Sequence, residues 1–315
     1  MDIKPNHPTV SVIIPIYRNE VFILELYERL ISTLNCITEK FEIILVNDCS
    51  PDHSWDIIKT IASHDQRVIG INFARNFGQH YAITAGLDQS RYDWVVVMDG
   101  DLQDKPEQIK PMLSKALEGY DIVQGRRVNR QDSFLKKLSS KLFYQLFSYL
   151  TETKQDSSIA NFGVYHRKVI EVVVSMRESL RFFPVMIKWV GFRSTMIDID
   201  HGVRESGKSG YSFRKLIHLS MNTIISFSDK PLRLTVKVGF GISLCAFIYT
   251  SYIVIKAFLG DTSIQGWSSL IASVWLLGGF IISILGVLGL YISRIFDEAK
   301  KRPIYIIKET TKTLK

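Results

Sequence analysis

Short apolar runs bounded by turn residues recur through the first part of the chain, at Val10–Ile16, Phe41–Val46, Val68–Phe73, Trp94–Met98 and Ile122–Gln124. Each is too short for a helix and rich in Val and Ile, as strands buried on both faces are. Between the first two, Ile23, Leu26, Leu30 and Leu34 recur at helical spacing; between the last two, Pro106 opens a helix that Gly119 closes. The alternation predicts a βαβαβ pattern and an α/β fold of doubly wound, mostly parallel, Rossmann-like type. Sheets of that kind bind ligands beyond the carboxyl ends of their strands, so candidate chemistry is sought there.

Further on the pattern changes twice. Ser133–Leu150 and Tyr211–Phe227 are amphipathic: Leu135, Leu138, Leu142 and Leu146 share one side of the first, and Phe213, Leu216, Ile217, Ile224 and Phe227 align in the second. Packing helices are one reading of both. Basic residues beside broad apolar faces favour helices lying in a membrane interface. Then come two stretches long enough to cross a bilayer. The 18 residues between Lys237 and Lys256 carry no charge, nor do those between Asp261 and Arg294.

Charge sharpens this picture. Of the formal +8 carried by 315 residues, the part from Leu232 onward has ten Lys and Arg against four Asp and Glu. A nucleic-acid binder would place its basic face on the folded domain, so nucleic acid is not an expected partner; a membrane is. Arg233 and Lys237 flank the first span, and Arg294, Lys300, Lys301 and Arg302 the second, whereas the connector 259–265 carries only Asp261. The positive-inside rule then places both termini in the cytoplasm and the hairpin tip outside, a multi-pass protein of the cytoplasmic (inner) membrane. The expected division is 1–231 for the cytoplasmic α/β domain with its interfacial helices near 133–150 and 211–228, 232–293 for the two transmembrane helices, and 294–315 for a basic cytoplasmic tail. A composition of 46% apolar and 22% charged residues excludes disorder and collagen-like repeats. Cys36, Cys49 and Cys245 have neither metal-like spacing nor an even count, and MDIKPNHPTV has no apolar leader core.

The fourth predicted strand runs into Asp99-Gly100-Asp101-Leu102-Gln103-Asp104. Two carboxylates two residues apart at a strand end can converge on one hard divalent cation, Mg²⁺ or Mn²⁺, with Gly100 letting the backbone turn. A cation held there would stabilise a diphosphate leaving group. The second strand runs into Asn47-Asp48-Cys49-Ser50, where a carboxylate can accept hydrogen bonds from a base or ribose. Neither a G-x-G-x-x-G after a strand nor a P-loop motif occurs, which disfavours dinucleotide dehydrogenases and P-loop ATPases.

Taken in order, Val10–Glu20 (VSVIIPIYRNE), Val46–Asp52 (VNDCSPD), Asn72–Gly78 (NFARNFG) and Val97–Pro106 (VMDGDLQDKP) resemble the family 2 glycosyltransferases of GT-A fold. With the apolar hairpin and the ending Tyr291–Tyr305 (YISRIFDEAKKRPIY), the chain is most similar to the polyprenyl-phosphate group, bactoprenol glucosyltransferases and dolichol-phosphate mannose synthases. That resemblance implies nucleotide-sugar contacts from Pro15, Tyr17, Glu20, Asp48, Asp99 and Gln103. It implies metal ligation by Asp99, Asp101 and Gln103, with Asp99, Asp101 and Arg126 in the catalytic role. It implies an acceptor-phosphate site of Arg126, Lys136 and Ser140, and Lys208 is the cation nearest a variant R-x-x-G-x-S-K-Y loop that has Gly210 in place of its Lys. Six cations against one acid between Arg126 and Lys141 suit a lipid phosphate at the bilayer surface on charge grounds alone. One further departure is Ala160-Asn161-Phe162-Gly163, where many of the group carry an acid and a base in a G-D-F-R-like stretch.

The expected function is inverting, metal-dependent transfer of one sugar from a nucleotide sugar, UDP-linked, to polyprenyl (undecaprenyl) phosphate. Transfer to a lipid or glycan hydroxyl is the enzymatic alternative; it needs a general base, for which Asp104 and Asp156 are the candidates. A nucleotide-binding membrane scaffold is the non-enzymatic one, and self-association into a homo-oligomer is left open.

Overall fold

A computed structural model describes residues 8–127, 159–199, 224–225, 228–258 and 266–312. The chain forms two compact units, one comprising the sheet and its helices together with the segment from Arg302 onward, the other comprising Tyr211–Lys301.

The sheet unit follows the predicted alternation: β1 (Val10–Ile16), α1 (Ile23–Asn35), β2 (Phe41–Asn47), α2 (Ser54–His64), β3 (Val68–Phe73), α3 (Gln79–Gln89), β4 (Trp94–Val97), a 3₁₀ turn at Pro106–Gln108 leading into α4 (Ile109–Leu117), and β5 (Ile122–Arg127). The apolar spacing of α1 does what it predicts. Ile23, Leu26, Leu30 and Leu34 are all at most 1% exposed, each contributing roughly 1.5–3 kcal/mol by leaving water. Every residue of β1, β2 and β3 is buried, which is why these strands read as mostly apolar runs, interrupted by Ser11, Glu42, Asn47 and Asn72. Gly119, just past α4, has φ +99° and ends that helix as predicted.

Three strands were not legible in that pattern. β6 (Ile159–His166) inserts antiparallel between β4 and β5, β7 (Ser194–Ile199) forms one edge, and β8 (Ile307–Thr310) the other. The order is β7-β5-β6-β4-β1-β2-β3-β8, with β1, β2, β3 and β4 mutually parallel and β8 antiparallel to β3. The sheet is therefore mixed rather than purely parallel. Helices α5 (Arg167–Ser175) and α6 (Phe183–Trp189) follow β6. The segment expected as a basic tail thus supplies the eighth strand.

The second unit holds α7 (Lys230–Phe258) and α8 (Trp267–Ala299). Both are long and apolar enough to cross a membrane. Large apolar side chains such as Phe240, Phe247, Trp275 and Ile282 stand exposed on them, which a water-soluble helix pair would bury. The two amphipathic segments lie outside the described residues, except for Ile224 and Ile225, which are helical and buried.

Candidate active site

The strand order turns back between β1 and β4, since β2 and β3 lie on one side of β1 and β4 on the other. Loops leaving these strands part in opposite directions and leave a crevice at the carboxyl ends. The backbone is most strained there. Among the described residues, four non-glycine residues have positive φ, and three of them, Arg18 (57°), Cys49 (52°) and Leu102 (60°), sit in the loops after β1, β2 and β4. Such conformations cost about 1–3 kcal/mol each and gather where a loop must present particular groups.

After β4, the Asp99 Oδ1 accepts a hydrogen bond from Gln79 Nε2 at 2.6 Å, and the Asp101 Oδ1 accepts from the Gln103 backbone N–H at 3.2 Å. The second bond closes the tight turn that Leu102 completes. Asp104 is fully buried, its Oδ2 facing the Asp99 backbone N–H at 3.5 Å, so it underpins this loop. Gly100 is required by contact: a Cβ there would lie 2.8 Å from Ile16 Cδ1 and 3.0 Å from Asn19 Nδ2. The Gly100 backbone consequently packs against the Ile16 and Asn19 side chains, which sets the end of β1 and the loop after it beside the loop that carries the two carboxylates.

Among those residues, Pro15 is buried and paired with Val46. The β1–β4 ladder ends at Ile13–Val97, so its missing N–H leaves no gap toward β4. Tyr17 is 42% exposed, with the Arg18 guanidinium 5.5 Å from its ring centre. Glu20 joins two loops: its Oε2 accepts from the His53 N–H at 2.7 Å, while its own N–H donates to Asp52. Ser50 accepts from the Arg18 N–H at 2.7 Å and donates to Asp52.

Asp48 is 3% exposed. Its two oxygens accept from the Phe77 and Gly78 backbone N–H groups at 2.7 and 2.8 Å. Burial pushes its carboxyl above the usual range, and the two amides pull it part of the way back. Asp48 therefore fixes the loop Ala74–Gly78 at the rim of the crevice. Gly78 caps α3 with φ +108°, a conformation that favours glycine.

Arg126 lies near the end of β5. β6 is antiparallel to both β4 and β5, so the carboxyl ends of β4 and β5 share one edge of the sheet. Arg126 Nε donates to Asp198 Oδ1 at 2.6 Å, from its register partner on β7. Gly163 pairs with Val97, the last residue of β4, so Asn161, two residues earlier on β6, lies beyond that pair on the side of the β4 carboxyl end. Lys136, Ser140, Lys208 and Asp156 lie outside the described residues. Two contacts escaped the sequence reading, Gln79 on Asp99 and Asp198 on Arg126. The first had a signal, for a polar residue opening a helix just after a strand points back to the carboxyl edge.

The donors suit a hard divalent cation. Asp99 and Asp101 offer carboxylates, Gln103 an amide oxygen, and the site is cradled where only a glycine fits between them.

The family model described as Glycosyl transferase family 2 matches residues 11–174. An uncharacterised glycosyltransferase of Bacillus subtilis, YkcC, is 38% identical over 96% of the chain and 94% of its own length. The undecaprenyl-phosphate 4-deoxy-4-formamido-L-arabinose transferase of Proteus mirabilis is 35% identical over 95% and 93%, and a prophage bactoprenol glucosyl transferase homologue of Escherichia coli 32% over 96% and 99%. Among solved structures, glucosyl-3-phosphoglycerate synthase of Mycobacterium tuberculosis, crystallised with Mn²⁺, UDP and phosphoglyceric acid, is similar in fold with a TM-score of 0.50, at 18% identity over 69% of this chain and 76% of that one.

Proposed function

The chain belongs to glycosyl transferase family 2, and on that footing we propose that it moves one sugar from a UDP-linked donor to the phosphate of a membrane polyprenyl phosphate, with inversion. The observation that carries this is the charge layout of one sheet edge. Asp99 and Asp101 follow β4, Arg126 nears the end of β5, and on β6 between these strands the residue two beyond the Val97–Gly163 pair is an amide, Asn161. A hydroxyl acceptor must lose a proton as the bond forms, and a carboxylate base would stand near the sugar. Asp104 does not serve, being buried beneath the loop. A phosphate monoester arrives already ionised, its second pKa near 6, and needs a cation to place it. Arg126 supplies one. Full-length similarity to an undecaprenyl-phosphate sugar transferase supports the same acceptor.

In this reading the loops after β1 and β2 receive the nucleotide, with Tyr17 exposed to stack and Asp48 holding the rim. Asp99, Asp101 and Gln103 would hold Mg²⁺ or Mn²⁺, which when bound neutralises the departing diphosphate. Gln79 keeps Asp99 oriented. Arg126 aligns the lipid phosphate for in-line attack on the anomeric carbon. The two apolar helices anchor the protein as a hairpin, with the sheet unit and both ends on the cytoplasmic side.

Membranes containing the full chain, given a panel of radiolabelled nucleotide sugars and undecaprenyl phosphate, should form one labelled lipid that releases its sugar in mild acid. A labelled lipid stable to both acid and base would place the sugar on a hydroxyl and overturn the proposal.

A further inference from the structure

The ending Tyr291–Tyr305, so distinctive in the sequence, leads into a segment to which the reaction above gives no task. Strand β8 pairs with β3 through Ile71–Thr310, Asn72–Glu309 and Phe73–Ile307, with a register irregularity between Asn72 and Phe73. Further along it is pinned by Trp55 Nε1 donating to Glu309 at 2.9 Å and by the Gly70 N–H donating to Thr311 at 2.8 Å. These bonds cover an edge that would otherwise expose unpaired backbone. At the other end of β8 the contacts are of a different kind. The ring of Tyr305 stacks on Phe73 with centres 5.3 Å apart and planes 15° from parallel. Its hydroxyl donates to Asp88 Oδ2 at 2.6 Å, and Asp88 takes both terminal nitrogens of Arg177 at 3.0 Å. Burial and the neighbouring Asp88 push the Tyr305 phenol upward, so it stays a donor at any working pH.

Phe73 is the last residue of β3, and the loop that follows is the one whose amides hold Asp48. The Ala74 N–H donates to the Ile306 carbonyl at 2.9 Å. Phe73 meets Phe77 edge-on at 5.5 Å, and the Arg75 guanidinium lies 4.4 Å above the Phe77 ring. Phe77 and Gly78 are the two N–H donors to Asp48. An unbroken series of contacts therefore runs from Tyr305 through Phe73 and Phe77 to the carboxylate at the rim of the crevice.

We propose that Tyr305 is a positioning residue for the Asp48 loop: with the Ile306 carbonyl it fixes Phe73 and Ala74, and through them the two amides that hold Asp48. The consequence for nucleotide binding rests on the reading of this rim as the nucleotide end of the site.

The purified full-length protein in detergent allows a test in two readouts, UDP affinity with Mn²⁺ present and hydrogen exchange of the peptide spanning Phe77 and Gly78. Tyr305→Ala should speed that exchange and weaken UDP binding roughly two- to tenfold, the worth of one aromatic pair. Tyr305→Phe, which keeps the stack, should restore most of both. Glu309→Ala removes the acceptor of the Trp55 anchor at the far end of β8; it should lower the melting temperature while leaving exchange at Phe77 and Gly78 and UDP affinity as in the wild type. Unaltered exchange in Tyr305→Ala, or equal acceleration in Glu309→Ala, would overturn the proposal. If the wild type binds no UDP while exchange responds as described, the nucleotide reading fails and the positioning of the loop is supported.

Discussion

Removing an acid should improve acceptor use. Arg126 and Asp198 are register partners on β5 and β7, meeting at 2.6 Å with side chains 51% and 52% exposed. The hydrogen bond and charge of Arg126 hold the Asp198 carboxyl below its usual range, so the pair is ionised at neutral pH. A lipid phosphate must then compete with Asp198 for the guanidinium. Water and salt screen a half-exposed pair, so the competition is worth a factor of roughly two to five. A charge-assisted phosphate contact is worth more, about ten- to a hundredfold. Initial rates against undecaprenyl phosphate in mixed micelles, at saturating donor sugar, should therefore separate the two variants. Asp198→Asn lowers the acceptor KM two- to fivefold with kcat unchanged, and less so as salt rises. Arg126→Ala raises KM by at least about tenfold, and Arg126→Lys recovers only part because the planar fork is lost. In the Arg126→Ala background, Asp198→Asn should gain nothing. A gain that persists there would show a diffuse charge effect and refute Arg126 as the phosphate ligand.

Asp101→Asn should cut metal-stimulated turnover by at least about a hundredfold while membrane insertion and melting stay normal; near-normal turnover under chelation would contradict the ligand set. In a background without the native cysteines, Ser263→Cys should be labelled by an impermeant thiol reagent on intact cells and Lys308→Cys should not, and equal protection would sink the hairpin topology. Burial pushes His80 down to about 4; the unfolded chain thus takes up a proton near pH 6.5 that the folded chain refuses. Stability should fall as pH drops from 6.5 toward 4, by at most about 1.4 kcal/mol per pH unit, and thermal melts of His80→Gln should show a shallower fall. Gly163→Ala should cost about 1–3 kcal/mol by overpacking, since its Cβ would fall 2.3 Å from the Tyr165 hydroxyl; an unchanged melting temperature would refute that packing.

What could be read from the sequence divides by physical cause. β1 to β4 announce themselves because both faces are buried and nearly every position is apolar, Ser11, Glu42, Asn47 and Asn72 being the polar exceptions. β7 alternates exposed and half-buried residues at an edge, and β8 is four residues long with Lys308 and Glu309 in its middle. Neither bears a run that periodicity can register. The partner of β8 lies more than 230 residues away in the chain, at Ile71–Phe73, and no local propensity encodes such a pairing. In the site the same division holds. Asp99 and Asp101 are legible because a strand ends where they begin, whereas the Gln79–Asp99 and Arg126–Asp198 contacts join residues 20 and 72 apart. Local spacing could supply the carboxylates but not the groups that orient or neutralise their neighbours.

The two departures on β6 resolve into one arrangement. Residues 163 and 165 share a face, and the buried Tyr165 ring, hydrogen-bonded to Gln124 on β5, fills the space that any side chain at 163 would need. An arginine at 163 and this tyrosine cannot coexist. The acid expected at 161 and the base expected at 163 are then absent together, so the edge loses a neutral pair and keeps its net charge. Among the described residues, the charges at this edge include the Asp99 and Asp101 carboxylates after β4 and the Arg126–Asp198 pair near the end of β5, while residues 161–163 of the strand between carry none. In the proposed reading a donor diphosphate with its cation would satisfy the first and an ionised acceptor phosphate would draw on the second. Neither substrate brings a proton that the intervening strand would have to accept. On that reading the missing charges are compatible with transfer to a phosphate acceptor, which brings no proton for a base to take.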